Sequence, residues 1–279
     1  MVIAAVGLVD DLRRIGALPK YLGQFVASLI ALWGWGHIQS DEDPVYGDLH
    51  PGIILGAVLT IILLTGFSNF FNFMDGIDGL AGGVGVIYSL ALAAVCIGTG
   101  HRLLGAGSLM MAAACLGFLA HNFPPAKIFM GDVGSLFIGY VLAAFAVLTT
   151  NSGERPAPFI AVLLIFGSFI YDAVFTLLRR ARRGEKLYEA HRSHLYQRLV
   201  IAGQSHRRVS LTYYGLSALL APAALLTPLP QTRSGWRYWL WPGSLWPHLP
   251  SMFTGSKPLL PKRKPCTQPN QQQRSSKGK

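Results

Sequence analysis

Residues 52–98 read GIILGAVLTIILLTGFSNFFNFMDGIDGLAGGVGVIYSLALAAVCIG, an apolar run, a short segment holding two Asn and two Asp, and a second apolar run. A membrane-crossing helix needs about 20 mostly apolar residues, so this stretch reads as two spans joined by a polar turn. The pattern continues outward in both directions. Seven segments qualify, at roughly 21–38, 52–68, 79–98, 103–121, 133–150, 158–178 and 208–228. The sequence therefore predicts an all-α, polytopic transmembrane helical bundle. Composition agrees: 51% of the 279 residues are hydrophobic and 13% charged, where a soluble domain carries about 25% charged residues. Mean hydropathy is +0.39.

The same numbers exclude several classes. Disorder needs low hydrophobicity, and a disulfide scaffold needs more than three cysteines, of which Cys96 and Cys115 lie inside apolar runs. The net charge of +11 raises the question of nucleic acid, but in a membrane chain basic residues first report topology. Thirteen of the 24 Lys and Arg fall in one alternating set of loops, namely Arg13, Arg14, Lys20, Lys127 and nine between 179 and 208. The opposite loops hold only Arg102 and Arg155. The positive-inside rule then places the first set in the cytoplasm, and no nucleic acid is implied. The opposite loop at 39–51, containing SDEDPVYGDLHP, has four acids and no base.

Two regions depart from the bundle. Residues 1–9, MVIAAVGLV, are too short to span and read as the exit end of a helix. From 229 onward there is no Asp or Glu, and WRYWLWPGSLWPHLPSMF is too interrupted by Pro to span. The expected division is a transmembrane domain at 1–228 with cytoplasmic active-site loops. A basic tail rich in Pro, Trp and Gln follows at 229–279, either aberrant, as after a reading-frame change, or disordered.

Acids beside membrane spans are costly to keep, so each is a candidate site residue. Asp10, Asp11, Asp75, Asp78 and Asp132 come from three separate segments, and all fall in the basic, cytoplasmic set of loops. In NFFNFMDGIDGLAGG, residues 69–83, a helix would set Asn69, Asn72, Asp75 and Asp78 at intervals of three along one drifting face, suited to a ribose, a uracil or a hydrated cation. A helix start capped by Asp78 is the plainer alternative. In HNFPPAKIFMGDVGSLFIG, residues 121–139, Asp132 immediately precedes an apolar span, where it can cap the helix and offer oxygen to a hard cation. Asn122 and Lys127 share that loop. In VGLVDDLRRIGALPK, Asp10 and Asp11 would point about 100° apart on a helix, which favours separate roles, one for metal and one for a proton. Lys20 suits a phosphate or a plain interfacial anchor. In RRARRGEKLYEAHRSHLYQRL, residues 179–199, the Arg run anchors topology, whereas His191, Arg192 and His194 bring three donors together, as a diphosphate requires. Zinc is the alternative there, but the usual further ligands are absent nearby. Asp172, inside the preceding span, would pair with a cation or touch substrate at the cytoplasmic mouth.

These four segments together resemble the polyprenyl-phosphate N-acetylhexosamine-1-phosphate transferase family, glycosyltransferase family 4. The matching pieces are VDD at 9–11, NFFNFMDGIDGLAGG at 69–83, the Asn122 loop with KIFMGDVGS at 127–135, and AHRSHLYQRL at 190–199, in the family's order. The resemblance implies ten to eleven transmembrane helices in the inner membrane, an active site facing the cytoplasm, and Mg²⁺ dependence, with Mn²⁺ compatible. It implies transfer of N-acetylhexosamine-1-phosphate from a UDP-sugar to undecaprenyl phosphate, releasing UMP. Carried over by position, Asp11 and Asp132 would hold the metal, and Asp10 would deprotonate or orient the lipid phosphate. Asn72 and Asp75 would lie at the nucleotide with Asp78 and Asn122 nearby, and Asn69 is a further substrate-binding candidate. Lys20 and the segment from His191 to His194 would contact phosphates. Membrane lipids are partners, and a homodimer is compatible. The HRSHLYQ pattern with Asp172 looks more like the branch that initiates O-antigen than the peptidoglycan enzyme, whose loop carries consecutive histidines. Relative to the family the chain looks shortened at both ends, so an inactive remnant competes with an active enzyme. A transporter using midmembrane acids is the reading from another class.

Overall fold

The structure, a computed structural model, describes residues 1–13, 15–38, 41–43, 47–49, 52–151, 157–185 and 193–226. Among the described residues ten helices form: α1 (Val2–Arg13), α2 (Ala17–Trp35), α3 (Gly52–Phe73), α4 (Leu80–Gly98), α5 (Arg102–Asn122), α6 (Gly131–Asn151), α7 (Phe159–Ile165), α8 (Gly167–Arg182), α9 (Leu195–Ile201) and α10 (His206–Leu225). One antiparallel pair, β1 (Asp41–Asp43) with β2 (Gly47–Leu49), lies in the acidic loop, with Asp41 opposite Leu49. The tail beyond 228 lies outside the described residues, as do His191 and Arg192.

All seven segments expected to span are helical, but they are not alike. Helices α3, α4, α5 and α6 are each long and apolar enough to cross a membrane, which establishes a multi-pass membrane protein. The expected span at 158–178 is not one helix. It breaks at Phe166 into α7 and α8, which meet at 81°, and the pair qualifies as a fifth crossing only if counted as one. In an apolar surround, backbone groups freed by such a break need partners. The Tyr88 hydroxyl supplies them, accepting from Phe169 N at 3.1 Å and pairing with Ser168 Oγ at 2.6 Å, which in turn meets Ser217 Oγ at 2.7 Å. Around the break the rings of Phe67 and Phe166 stack at 4.0 Å, and Phe71 meets Phe169 edge-on at 5.5 Å.

The core is the buried face of α4, packed against α5 on one side and α10 on another, with α3 on α6 and α1 on α6 completing the set. Bundles in lipid rely on close packing of small residues. Gly7 shows this on α1, where a Cβ would lie 2.5 Å from Val133 Cα. That approach brings the end of α1 onto the start of α6.

Two local expectations are corrected. The ridge from Asn69 to Asp78 is not one helix: α3 ends at Phe73, so Asn69 and Asn72 are helical while Asp75 and Asp78 sit in the turn before α4. Gly76 and Gly79 are poor helix residues that lie in the turn after α3 ends, and Gly79, with φ of +77°, directly precedes α4. Conversely, Asp10 and Asp11 are not in a loop. They lie in the last turns of α1, which continues to Arg13.

Candidate active site

Four helix ends carry the sequence's acids to one place. The end of α1 supplies Asp10 and Asp11, the start of α2 Lys20, the end of α3 Asn72, and the start of α6 Asp132. Carboxylates at the C-terminal end of a helix oppose its dipole, so Asp10 and Asp11 need compensation from elsewhere. Asp11 finds it at a second helix. Its Oδ1 accepts from Asp132 N at 2.9 Å and its Oδ2 from Val133 N at 3.0 Å, satisfying two of the free amides at the start of α6. The cap of α6 is therefore Asp11, 121 residues away in the chain, and not Asp132 as the sequence suggested. Gly131 makes room for it, with φ of +67° and a missing Cβ that would stand 2.7 Å from Asp11 Oδ2.

Asp132 is thus left to face the other side chains. Its Oδ2 accepts from Lys20 Nζ at 2.9 Å and its Oδ1 from Asn72 Nδ2 at 3.0 Å. Lys20 also bonds Asp10 Oδ2 at 3.0 Å, so one ammonium bridges two carboxylates from different helices. Asn72 in turn donates to Ser135 Oγ at 2.8 Å. Asp75 lies half-buried beside this group. Burial, helped by the charge of Asp132, pushes its carboxyl up to about 7, so it exchanges a proton near neutrality.

The remaining candidates serve as scaffolding around these residues. Asn69 pairs with Gln24 rather than facing the site. Asn122, buried, accepts from Gly79 N at 2.9 Å and donates to Ile128 O at 2.8 Å, tying the α3–α4 turn to the loop before Asp132. Asp78 braces the same turn, accepting from Ala126 N at 3.2 Å and meeting His206 Nδ1 at 3.4 Å. Asp172 neither reaches the group nor sits at an open mouth. It is fully buried and accepts from Leu195 N (2.9 Å), Tyr196 N (3.2 Å), His194 Nδ1 (3.1 Å), Thr176 Oγ1 (3.2 Å) and Tyr213 OH. It fastens the histidine segment and α9 to α8, and Tyr196 OH then reaches Phe73 O at 2.9 Å, beside the α3–α4 turn.

Sequence reasoning missed Gln24, Tyr196, Tyr213 and His206, because each acts across elements far apart in the chain. It also passed over Phe129, whose side chain is 80% exposed three residues before Asp132. An aromatic face in that position can stack on a planar base.

The donors suit a hard divalent cation. Mg²⁺ prefers one or two carboxylates and otherwise keeps water, and Asp132 and Asp11 are carboxylates with lone pairs beyond those already engaged. Asp10 Oδ1 is buried with no hydrogen-bond partner among the described residues, as expected of an oxygen that serves a further ligand. Among the described residues no group of three His, Cys, Asp or Glu side chains forms a complete protein cage.

Comparison with known proteins finds several relatives. The family model described as glycosyl transferase family 4 matches residues 1–150. The decaprenyl-phosphate N-acetylglucosaminephosphotransferase of Mycobacterium tuberculosis is 35% identical over 235 residues, covering 76% of this chain and 58% of that protein. The probable undecaprenyl-phosphate N-acetylglucosaminyl 1-phosphate transferase of Bacillus subtilis is 30% identical over 225 residues, covering 81% and 63%. A phospho-N-acetylmuramoyl-pentapeptide-transferase of Pelotomaculum thermopropionicum is 33% identical over 242 residues, covering 79% and 72%. The chain spans about three fifths of the length of the first two.

Proposed function

The chain belongs to glycosyl transferase family 4, and from that premise we propose that it transfers N-acetylhexosamine-1-phosphate from a UDP-sugar to undecaprenyl phosphate. An oxygen of the lipid phosphate attacks the β-phosphorus; the bond from that phosphorus to the bridging oxygen breaks, and UMP leaves. The observation that supports this most is the convergence of Asp10, Asp11 and Asp132 around Lys20 and Asn72 at one end of the bundle. Phosphoryl transfer asks for positioning and charge neutralisation more than covalent chemistry.

Each residue then has a task. Asp11 and Asp132 would hold Mg²⁺, which would neutralise phosphate charge. Asp10, with its free oxygen, accepts the proton of the lipid phosphate or orients it. Lys20 balances Asp10 and Asp132 and stands within reach of incoming phosphate oxygens. Asn72 orients Asp132, and Asp75 faces the nucleotide as a carboxyl that can donate a hydrogen bond while protonated. His194, buried and bonded to Asp172, braces the start of α9, and His191 and Arg192 are assigned to the diphosphate. The basic loops support a site on the cytoplasmic face of a bacterial inner membrane. Acids gathered at one end, rather than along the midplane, do not favour a transporter.

The relatives from M. tuberculosis and B. subtilis are named for N-acetylglucosamine, which supports UDP-N-acetylglucosamine as the donor; a 6-deoxy relative and a place in O-antigen or a related envelope glycan rest on the HRSHLYQ pattern. The muramoyl-pentapeptide donor is the second reading, favoured by the P. thermopropionicum relative. Proteoliposomes with undecaprenyl phosphate and Mg²⁺, offered each UDP-sugar in turn, separate them by UMP release. Release with an N-acetylhexosamine donor that stops on chelation and returns with Mg²⁺ is the expected result. No release with any donor would remove the transferase reading for this chain.

A further inference from the structure

We propose that Gln24 is a positioning residue, which keys α2 to α3 so that Lys20 meets Asp10 and Asp132 at once. Gln24 lies four residues after Lys20, on the same face of α2 and about 6 Å further along its axis. Its side chain has 0% exposure. An amide in an apolar interior is costly unless hydrogen-bonded. Here both ends are bonded to one partner: Gln24 Nε2 donates to Asn69 Oδ1 at 3.2 Å, and Gln24 Oε1 accepts from Asn69 Nδ2 at 2.5 Å. Asn69 Nδ2 also donates to Thr65 O at 2.8 Å, which fixes the orientation of its amide.

A two-bond amide pair differs from an apolar contact in what it specifies. Leucines at both positions would bury comparable surface yet tolerate sliding or rotation of one helix past the other, whereas the paired amides permit one register. Register matters because Lys20 reaches carboxylates on two other helices, at 3.0 Å on α1 and 2.9 Å on α6. A slip of α2 by one residue, about 1.5 Å along its axis, would take Lys20 out of hydrogen-bond range of at least one of them. Asn69 lies one turn before Asn72, which holds Asp132 from its other side at 3.0 Å. The amide pair therefore sets both supports of Asp132 from one point.

The proposal rests on the transferase reading for what Lys20 does, but its geometry is testable without turnover. The first measurement is the rate at which an amine-reactive acylating reagent modifies Lys20, followed by peptide mass spectrometry with Lys127 as internal reference. Gln24→Leu is expected to raise Lys20 labelling at least threefold with Lys127 unchanged. Exchanging the amides, Gln24→Asn with Asn69→Gln, restores most of the protection. The second measurement is the transfer rate. Gln24→Leu lowers kcat about tenfold alone, but changes it less than twofold in a Lys20→Met background, because the effect passes through Lys20. Unchanged Lys20 labelling in Gln24→Leu, or equal losses in both backgrounds, would overturn the proposal. Wild-type protein that protects Lys20 without releasing UMP would instead sink the transferase reading and leave the labelling comparison to decide on Gln24.

Discussion

Replacing Asp172 by Ala should release His194 and the start of α9, and the size of the effect follows from its partners. The carboxylate is fully buried and accepts from five donors: two backbone amides at the start of α9, the Tyr213 hydroxyl, Thr176 and His194. A buried donor left without a partner costs about 1–3 kcal/mol, and removing one side of a buried charged network about 3–5 kcal/mol. Water admitted to the cavity will satisfy some donors, so roughly 3–5 kcal/mol is the expected loss. In a domain of this size that is a fall in Tm on the order of 10 °C. Cys96 and Cys115 are buried and provide the readout, since a thiol-reactive dye reports their exposure as micelle-solubilised protein is heated. Trypsin should at the same time cut faster at Arg198, Arg207 and Arg208. Asp172→Asn keeps one acceptor oxygen and should lose about half as much. An Asp172→Ala variant that melts within about 2 °C of wild type, with an unchanged tryptic pattern, would refute the view that this carboxylate fastens α9.

Two further substitutions probe the carboxylate group. Gly131→Ala forces a side chain into a φ of +67° and against Asp11 Oδ2, so about 1–2 kcal/mol of stability and at least tenfold of kcat should be lost, measured by dye melting and UMP release. Retention of full activity would show that Asp11 need not cap α6. Asp75→Asn should stabilise the protein in a pH-dependent way. The carboxyl is raised from 3.8 to about 7, so its contribution is fully present below about pH 3.8 and is lost as pH rises toward 7. The Tm advantage of Asp75→Asn should therefore grow between pH 4 and 7 and level off above, whereas a constant difference would contradict the burial argument.

Much of this was legible in the sequence where a local pattern sufficed. The apolar runs of α3 to α6 are continuous and long, and the five acids were recognisable because an acid beside a span demands a reason. Patterns that extended a period too far misled: the three-residue spacing of Asn69 to Asp78 runs past the end of α3 at Phe73 into a turn that holds Gly76 and Gly79, and the run at 158–178 conceals the break at Phe166, whose support comes from Tyr88 on α4. The roles of Asp11 and Asp172 were illegible for a related reason. Each caps a helix from a different part of the chain, over 121 residues for Asp11 and 23 for Asp172, and no local signal marks such a partner. Asn69 looked like a site residue for want of Gln24, which reads in sequence as an ordinary polar residue in an apolar run.

The central claim is that the group around Asp132 moves a sugar together with its phosphate. Proteoliposomes supplied with UDP-N-acetylglucosamine labelled at the β-phosphorus test it most directly. The label is expected to enter the lipid fraction while UMP leaves unlabelled, and Asp132→Asn to abolish this incorporation. Label leaving as UDP or inorganic phosphate, or incorporation that survives Asp132→Asn, would contradict it.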